Sequence, residues 1–185
     1  PKTPKPHNIV SSLMPEYGDL EYWEQRYQSQ DGKMFDWLQS FESLKPFIEK
    51  YLKKTDRIVN LGCGNALISE EMHISGYINQ WNVDYSPHVI DQMKEKYAGT
   101  PEMRFEVEDC TQMTYADESF EVAIDKSTLD AIMCGADGPL NAAKLLGEAQ
   151  RVLVDGGYYI VISYGSPENR LHCFQHECYN WASVE

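Results

Sequence analysis

The sequence predicts an α/β fold: a doubly wound, mostly parallel sheet flanked by helices, in a single domain over residues 20–185. Three observations carry this expectation. From residue 57 onward, short β-branched or aromatic runs alternate with helical stretches of about 10–15 residues, the pattern of β–α–β units rather than of hairpins. The 185 residues, 42% hydrophobic and 24% charged, are ordinary for one globular core. Successive strand-like runs stop on or beside Gly62, Asp84 and Asp109, and an open parallel sheet binds ligands outside the carboxyl ends of its strands.

Residues 1–19 are polar and proline-rich and read as a flexible lead-in. Residues 20–54 turn helical and aromatic, from Tyr22 and Trp23 to Phe47 and Tyr51, and Gly32 divides them into two helices that form an N-terminal cap. RIVNLG (57–62) is a first strand ending on glycine, and NALISEEMHIS (65–75) is a helix closed by Gly76. YINQWNVDY (77–85) is a second strand. Ser86 then offers an N-cap and Pro87 a first helical position, for a helix through about Tyr97. MRFEVEDC (103–110) and SFEVAIDK (119–126) alternate in strand fashion, PLNAAKLLGEAQRVLV (139–154) is helical, and YYIVIS (158–163) is the fifth strand.

Composition removes several classes of function. The longest uninterrupted apolar run, 158–162, is five residues against the roughly 20 of a membrane span. PKTPKPHNIV has no apolar stretch behind its lysines and does not read as a secretory signal. Sixteen basic against 29 acidic side chains give a formal charge of −13, which argues against direct nucleic-acid binding and suits a basic partner. The five cysteines, at 63, 110, 134, 173 and 178, are an odd number at irregular spacing, as expected of free thiols in the cytoplasm. His172, Cys173, His176 and Cys178 cluster without the spacing of a zinc site, so no metal is expected.

The chemistry is concentrated at the strand ends. In Leu61-Gly62-Cys63-Gly64-Asn65 two glycines allow a sharp turn and close approach of a ligand to the main chain. Cys63 has no partner base and reads as small-residue packing. Asp84, 22 residues after Gly62, is placed to accept both hydroxyls of a ribose, and Asp109-Cys110 offers an acid and a backbone N–H to the edge of an adenine. Leu67 stands where a dinucleotide fingerprint has its third glycine, so a pyrophosphate is disfavoured. A ligand with a ribose and an adenine but no phosphates fits, and S-adenosylmethionine has that shape.

VNLGCGNALIS, NVDYS, EDCTQM and FEVAIDKSTLDAIM resemble the successive motifs of the seven-strand (class I) S-adenosylmethionine-dependent methyltransferases, whose sheet is Rossmann-like. DKSTLDAI, with YWEQRY and FDW upstream, resembles the methyltransferase-like group that includes the lysine methyltransferases of elongation factor 1-alpha. The resemblance runs from about Glu21 to Gly165. It implies that Gly62 and Gly64 face the methionine part of the cofactor, that Asp84 holds the ribose with Tyr85 beside the adenine, and that Asp109 and Cys110 flank the adenine edge. It also implies that Lys126 lies where the fourth strand meets the cofactor, and that Trp23, Tyr27 and Trp37 close over it. S-adenosylhomocysteine would be the product, and a basic protein, elongation factor 1-alpha among the candidates, the acceptor.

Two departures stand out. Ser127 replaces the glycine of the family's DKGTLD, so the backbone there is expected to sit differently, and the antiparallel strand pair that closes these domains after the fifth strand reads as incomplete. Asp130 is a candidate to orient an incoming amine, and no catalytic base is identified. Two further readings stay open: a small-molecule methyltransferase, and a cofactor-binding interaction module without turnover.

Overall fold

A computed structural model describes residues 16–185. Helices α1 (Leu20–Gln30) and α2 (Phe41–Ile48) precede the sheet, which comprises β1 (Ile58–Leu61), β2 (Gln80–Asp84), β3 (Met103–Val107), β4 (Phe120–Lys126) and β5 (Leu153–Ile162). Between them lie α3 (Ile68–Ile74), α4 (Pro87–Lys96), α5 (Thr128–Met133) and α6 (Gly138–Val152), and α7 (Pro167–Phe174) follows β5. The strand order is β3-β2-β1-β4-β5 with every neighbouring pair parallel. Order reverses between β1 and β4, and a crevice opens above that point. No strand follows β5 among the described residues.

Alternation along the strands sorts the core onto two faces. Ile58, Val122 and Ile124 pack with Phe41 and Leu44 of α2 and Met72 of α3. Val59, Leu61 and Ala123 point the other way, onto Ala142, Leu145 and Ala149 of α6. Beyond β2, Met103 and Phe105 of β3 meet Val89, Ile90 and Met93 of α4, with Trp23 and Tyr27 of α1 closing that cluster. Burying each such side chain contributes roughly 1.5–3 kcal/mol.

The first face also buries amides. Asn60 Nδ2 donates to Gln80 Oε1 at 3.0 Å and to Asn82 Oδ1 at 2.7 Å, and Asn82 Oδ1 accepts from Ser69 Oγ of α3 at 2.6 Å. Gln80 Nε2 donates to the carbonyls of Ser69 and Tyr77, and Asn82 Nδ2 to that of Arg104. Asn60 and Asn82 are register partners across β1 and β2, so the network fixes that pairing.

Three sequence expectations change. Of the lead-in expected over 1–19, residues 1–15 lie outside the described residues, and 16–19 pack with the domain. The Tyr17 carbonyl accepts from Trp23 Nε1 at 2.6 Å, and Asp19 caps α1. The break between the first two helices is a loop over 31–40, because Asp31 and Gly32 both take left-handed conformations and Ser40 starts α2. The fifth strand begins at Leu153 rather than 158. Leu153 pairs with Phe120, and an irregularity around Asp155-Gly156-Gly157 absorbs the extra residues, with Gly156 at φ +73°.

Candidate functional site

The turn after β1 builds the floor of the crevice. Gly62 and Gly64 hold φ of +63° and +49°. A Cβ on Gly62 would lie 2.2 Å from Thr128 Oγ1, and one on Gly64 would lie 2.8 Å from the Tyr27 hydroxyl oxygen. Both positions therefore require glycine for conformation and for space. Thr128 Oγ1 donates to the Leu61 carbonyl at 2.7 Å, which locks the first turn of α5 beneath the loop.

Asp84, at the end of β2, is buried, and each carboxylate oxygen takes one backbone donor at 3.0 Å: Gly64 N–H on Oδ2 and Ser86 N–H on Oδ1. Burial raises its pKa from the ordinary 3.8 to about 6, against the lowering effect of those two N–H groups. An acid so placed has lone pairs left for further donors while holding the glycine loop. Asp109 is exposed and accepts from Thr111 N–H and Oγ1 in the turn after β3, beside Cys110. Burial pushes the Cys63 and Cys110 thiols well up, which leaves them protonated and unsuited to nucleophilic work.

An aromatic wall comes from α1 and the 31–40 loop. Trp23 stacks on Tyr27 with ring centroids 5.7 Å apart, and Trp37 meets Trp23 edge-on at 6.3 Å. The Arg26 guanidinium sits 4.9 Å from the centroids of both Phe35 and Trp37, tying the loop to α1. Trp23, Tyr27, Trp37, Gly62, Gly64, Asp84, Tyr85, Asp109, Cys110 and Lys126, brought forward from sequence, all line one cavity of about 570 Å³.

Some roles expected from sequence are taken up elsewhere. The Lys126 amine, 6% exposed, is 2.5 Å from Asp36 Oδ1 and donates to the Trp37 carbonyl at 2.8 Å, so it anchors the loop. Asp130 is not free to orient an amine. Its Oδ1 accepts from Ser163 Oγ and Arg170 Nη2, and its Oδ2 from Tyr164 N–H. Burial would raise its pKa, but the hydrogen bonds from Ser163 and Tyr164 and the Arg170 ion pair outweigh it, and the pKa lies below the ordinary value. Ser127 keeps a left-handed turn at φ +73°, a conformation glycine takes freely, with its hydroxyl buried and unpartnered. Sequence reasoning missed Asp125, which caps α5 through Thr128 and Leu129 N–H and accepts from the Tyr159 hydroxyl; its pKa is pushed up to about 6, chiefly by burial. Its place at the end of a strand was a signal, since Asp84 and Asp109 also stand where strands stop.

The crevice, with its glycine turn and a buried acid one strand over, stands at the strand-order reversal, where open parallel sheets bind ligands. Residues 52–184 match the family described as "Methyltransferase domain", and the chain belongs to that family. It is 33% identical over 191 residues to EEF1A lysine methyltransferase 4 of Mus musculus, a match covering 98% of this chain and 75% of that protein. It is 40% identical over 159 residues to eEF1A lysine and N-terminal methyltransferase of Xenopus laevis, covering 84% of this chain and 23% of that protein. Among solved structures it is similar to a SAM-dependent methyltransferase of Methanosarcina mazei, with TM-score 0.56 and 27% identity over 63% of this chain and 56% of that one.

Proposed function

We propose that this chain transfers a methyl group from S-adenosylmethionine to a lysine side chain of a basic protein, with elongation factor 1-alpha as the acceptor, in the cytoplasm. The observation that carries the reading is the meeting of the Gly62–Gly64 turn, Asp84, Asp109-Cys110 and the Trp23–Tyr27–Trp37 wall around one cavity. The residues fit the cofactor: Asp84 would accept from the ribose hydroxyls, Tyr85, Asp109 and Cys110 would border the adenine, and the Gly62 backbone would face the amino-acid end. S-adenosylmethionine supplies, when bound, a methyl on a positively charged sulfur that leaves readily. The chain then has to align the acceptor and exclude water, which is why no nucleophile–base pair is needed. A lysine has an ordinary pKa of about 10.4, and the aromatic lining favours its neutral, nucleophilic form by desolvation. No helix among the described residues is long and apolar enough to cross a membrane.

The test is incubation of the purified chain with tritiated S-adenosylmethionine and purified elongation factor 1-alpha. Label on a lysine of that protein is the expected result. Tight binding of S-adenosylhomocysteine with no label on any protein would overturn the acceptor, and no binding would overturn the cofactor.

A further inference from the structure

Of the large apolar side chains that stand exposed among the described residues, Phe35, Leu38 and Tyr164 line the cavity. Phe35 already carries Arg26 over its ring. Leu38 and Tyr164 are different: both are displayed on rigid supports.

Leu38 is 43% exposed and holds φ +62°, a left-handed conformation that is unfavourable for a non-glycine residue. Such strain persists where the surroundings over-determine it. Here the preceding residues are pinned, Asp36 and the Trp37 carbonyl both held by the buried Lys126 amine. Tyr164 is 87% exposed, and its ring joins no aromatic pair among the described residues. Its backbone N–H donates to Asp130 Oδ2 at 2.7 Å, and Asp130 is itself fixed by Arg170 at 2.7 Å.

The two supports flank the same end of the crevice. Lys126 is the last residue of β4, and Tyr164 comes two residues after the end of β5, the neighbouring strand. Gly62, Asp84 and Asp109, the groups assigned above to the cofactor, stand at the ends of β1, β2 and β3. The β4–β5 side is thus the side left for the acceptor.

We infer that Leu38 and Tyr164 form the docking rim for the methyl acceptor, and that this acceptor is a polypeptide segment whose lysine enters the cavity while apolar neighbours seat on the two side chains. A small molecule contained within the cavity would make no use of side chains displayed outward. A cationic segment also suits a chain of formal charge −13. This inference rests on the methyl-transfer reading above.

The test compares wild type with Leu38→Gly, Tyr164→Ser and the double variant. Glycine adopts the left-handed loop without strain, and the serine keeps the backbone donor to Asp130, so no variant is expected to fall below the wild-type thermal midpoint. Binding of S-adenosylhomocysteine is measured by calorimetry, and KM by tritium transfer to purified elongation factor 1-alpha. The expected result is an unchanged Kd for S-adenosylhomocysteine, with KM for the protein raised about tenfold in the double variant. A wild-type enzyme that turns over, beside a double variant with unchanged KM, overturns the rim alone. A wild type that binds the product but methylates no protein overturns the polypeptide acceptor, and one that binds no product overturns the cofactor reading and the rim with it.

Discussion

Lys126 at the end of β4 and Asp36 in the 31–40 loop are ninety residues apart in the chain and 2.5 Å apart in space. The loop carries Trp37, so this ion pair fixes one wall of the crevice from the sheet.

Replacing Lys126 by methionine keeps the apolar stem but leaves Asp36 and the Trp37 carbonyl without their donor. The variant is expected to lose about 2–3 kcal/mol in urea titration, given a pair that is mostly but not wholly buried. It should also bind S-adenosylhomocysteine more weakly in calorimetry, because Trp37 is no longer held. A stability loss with unchanged affinity would remove the loop from the binding site.

Asp84 links pH to stability and to binding with opposite signs. Its folded pKa, about 6, lies above the ordinary 3.8, so the folded chain holds this proton more tightly than the unfolded chain. Its contribution to stability is largest below about pH 4, falls as pH rises toward about 6 and is flat beyond. Under the proposed reading, ribose binding by the carboxylate would run the other way and weaken as pH falls below about 6. Calorimetric titration with S-adenosylhomocysteine from pH 5 to 8, run on wild type and Asp84→Asn, checks this. The pH dependence should disappear in the variant, whose affinity should be roughly tenfold lower or worse at neutral pH.

Ser127→Gly should stabilise the chain. The substitution relieves a left-handed residue and removes a buried, unpartnered hydroxyl. A gain of about 1 kcal/mol is expected, after the added freedom glycine gives the unfolded chain, and a thermal melt reads it as a higher midpoint.

Gly62→Ala should have the reverse outcome. Its Cβ would strike Thr128 Oγ1 at 2.2 Å, at a φ of +63°. A lower thermal midpoint and loss of S-adenosylhomocysteine binding are expected. Adding Thr128→Ala removes the oxygen in the way and should restore part of the stability, the part owed to the clash and not to the backbone. No recovery in the double variant would place the whole cost in the backbone.

Where sequence reasoning picked out residues that line the cavity, it did so through local patterns. Gly62, Asp84 and Asp109 are each marked by a strand pattern that stops on them, and alternation locates those strands to within a few residues. The missed features join positions far apart in the chain. Nothing near Lys126 announces Asp36, and nothing near Asp130 announces Arg170, forty residues on, so a carboxylate that looked available for an amine is already committed. Thr128 beneath Gly62 is a third case, since the steric need for that glycine lies on a different strand–helix turn. Leu153 opened β5 earlier than its composition suggested because strand pairing with Phe120 overrode a glycine pair that reads as a turn.

The amides of Asn60, Gln80 and Asn82 and the Ser69 hydroxyl are linked inside an otherwise apolar layer, with backbone carbonyls taking the outer amide donors and Asn60 Oδ1 left without a partner. Exchanging Asn82 alone for an aliphatic side chain would orphan donors on two neighbours at once, so single steps away from this quartet cross a deep fitness valley. These four positions should therefore be inherited as a block among descendants of this chain, changing in concert where they change at all.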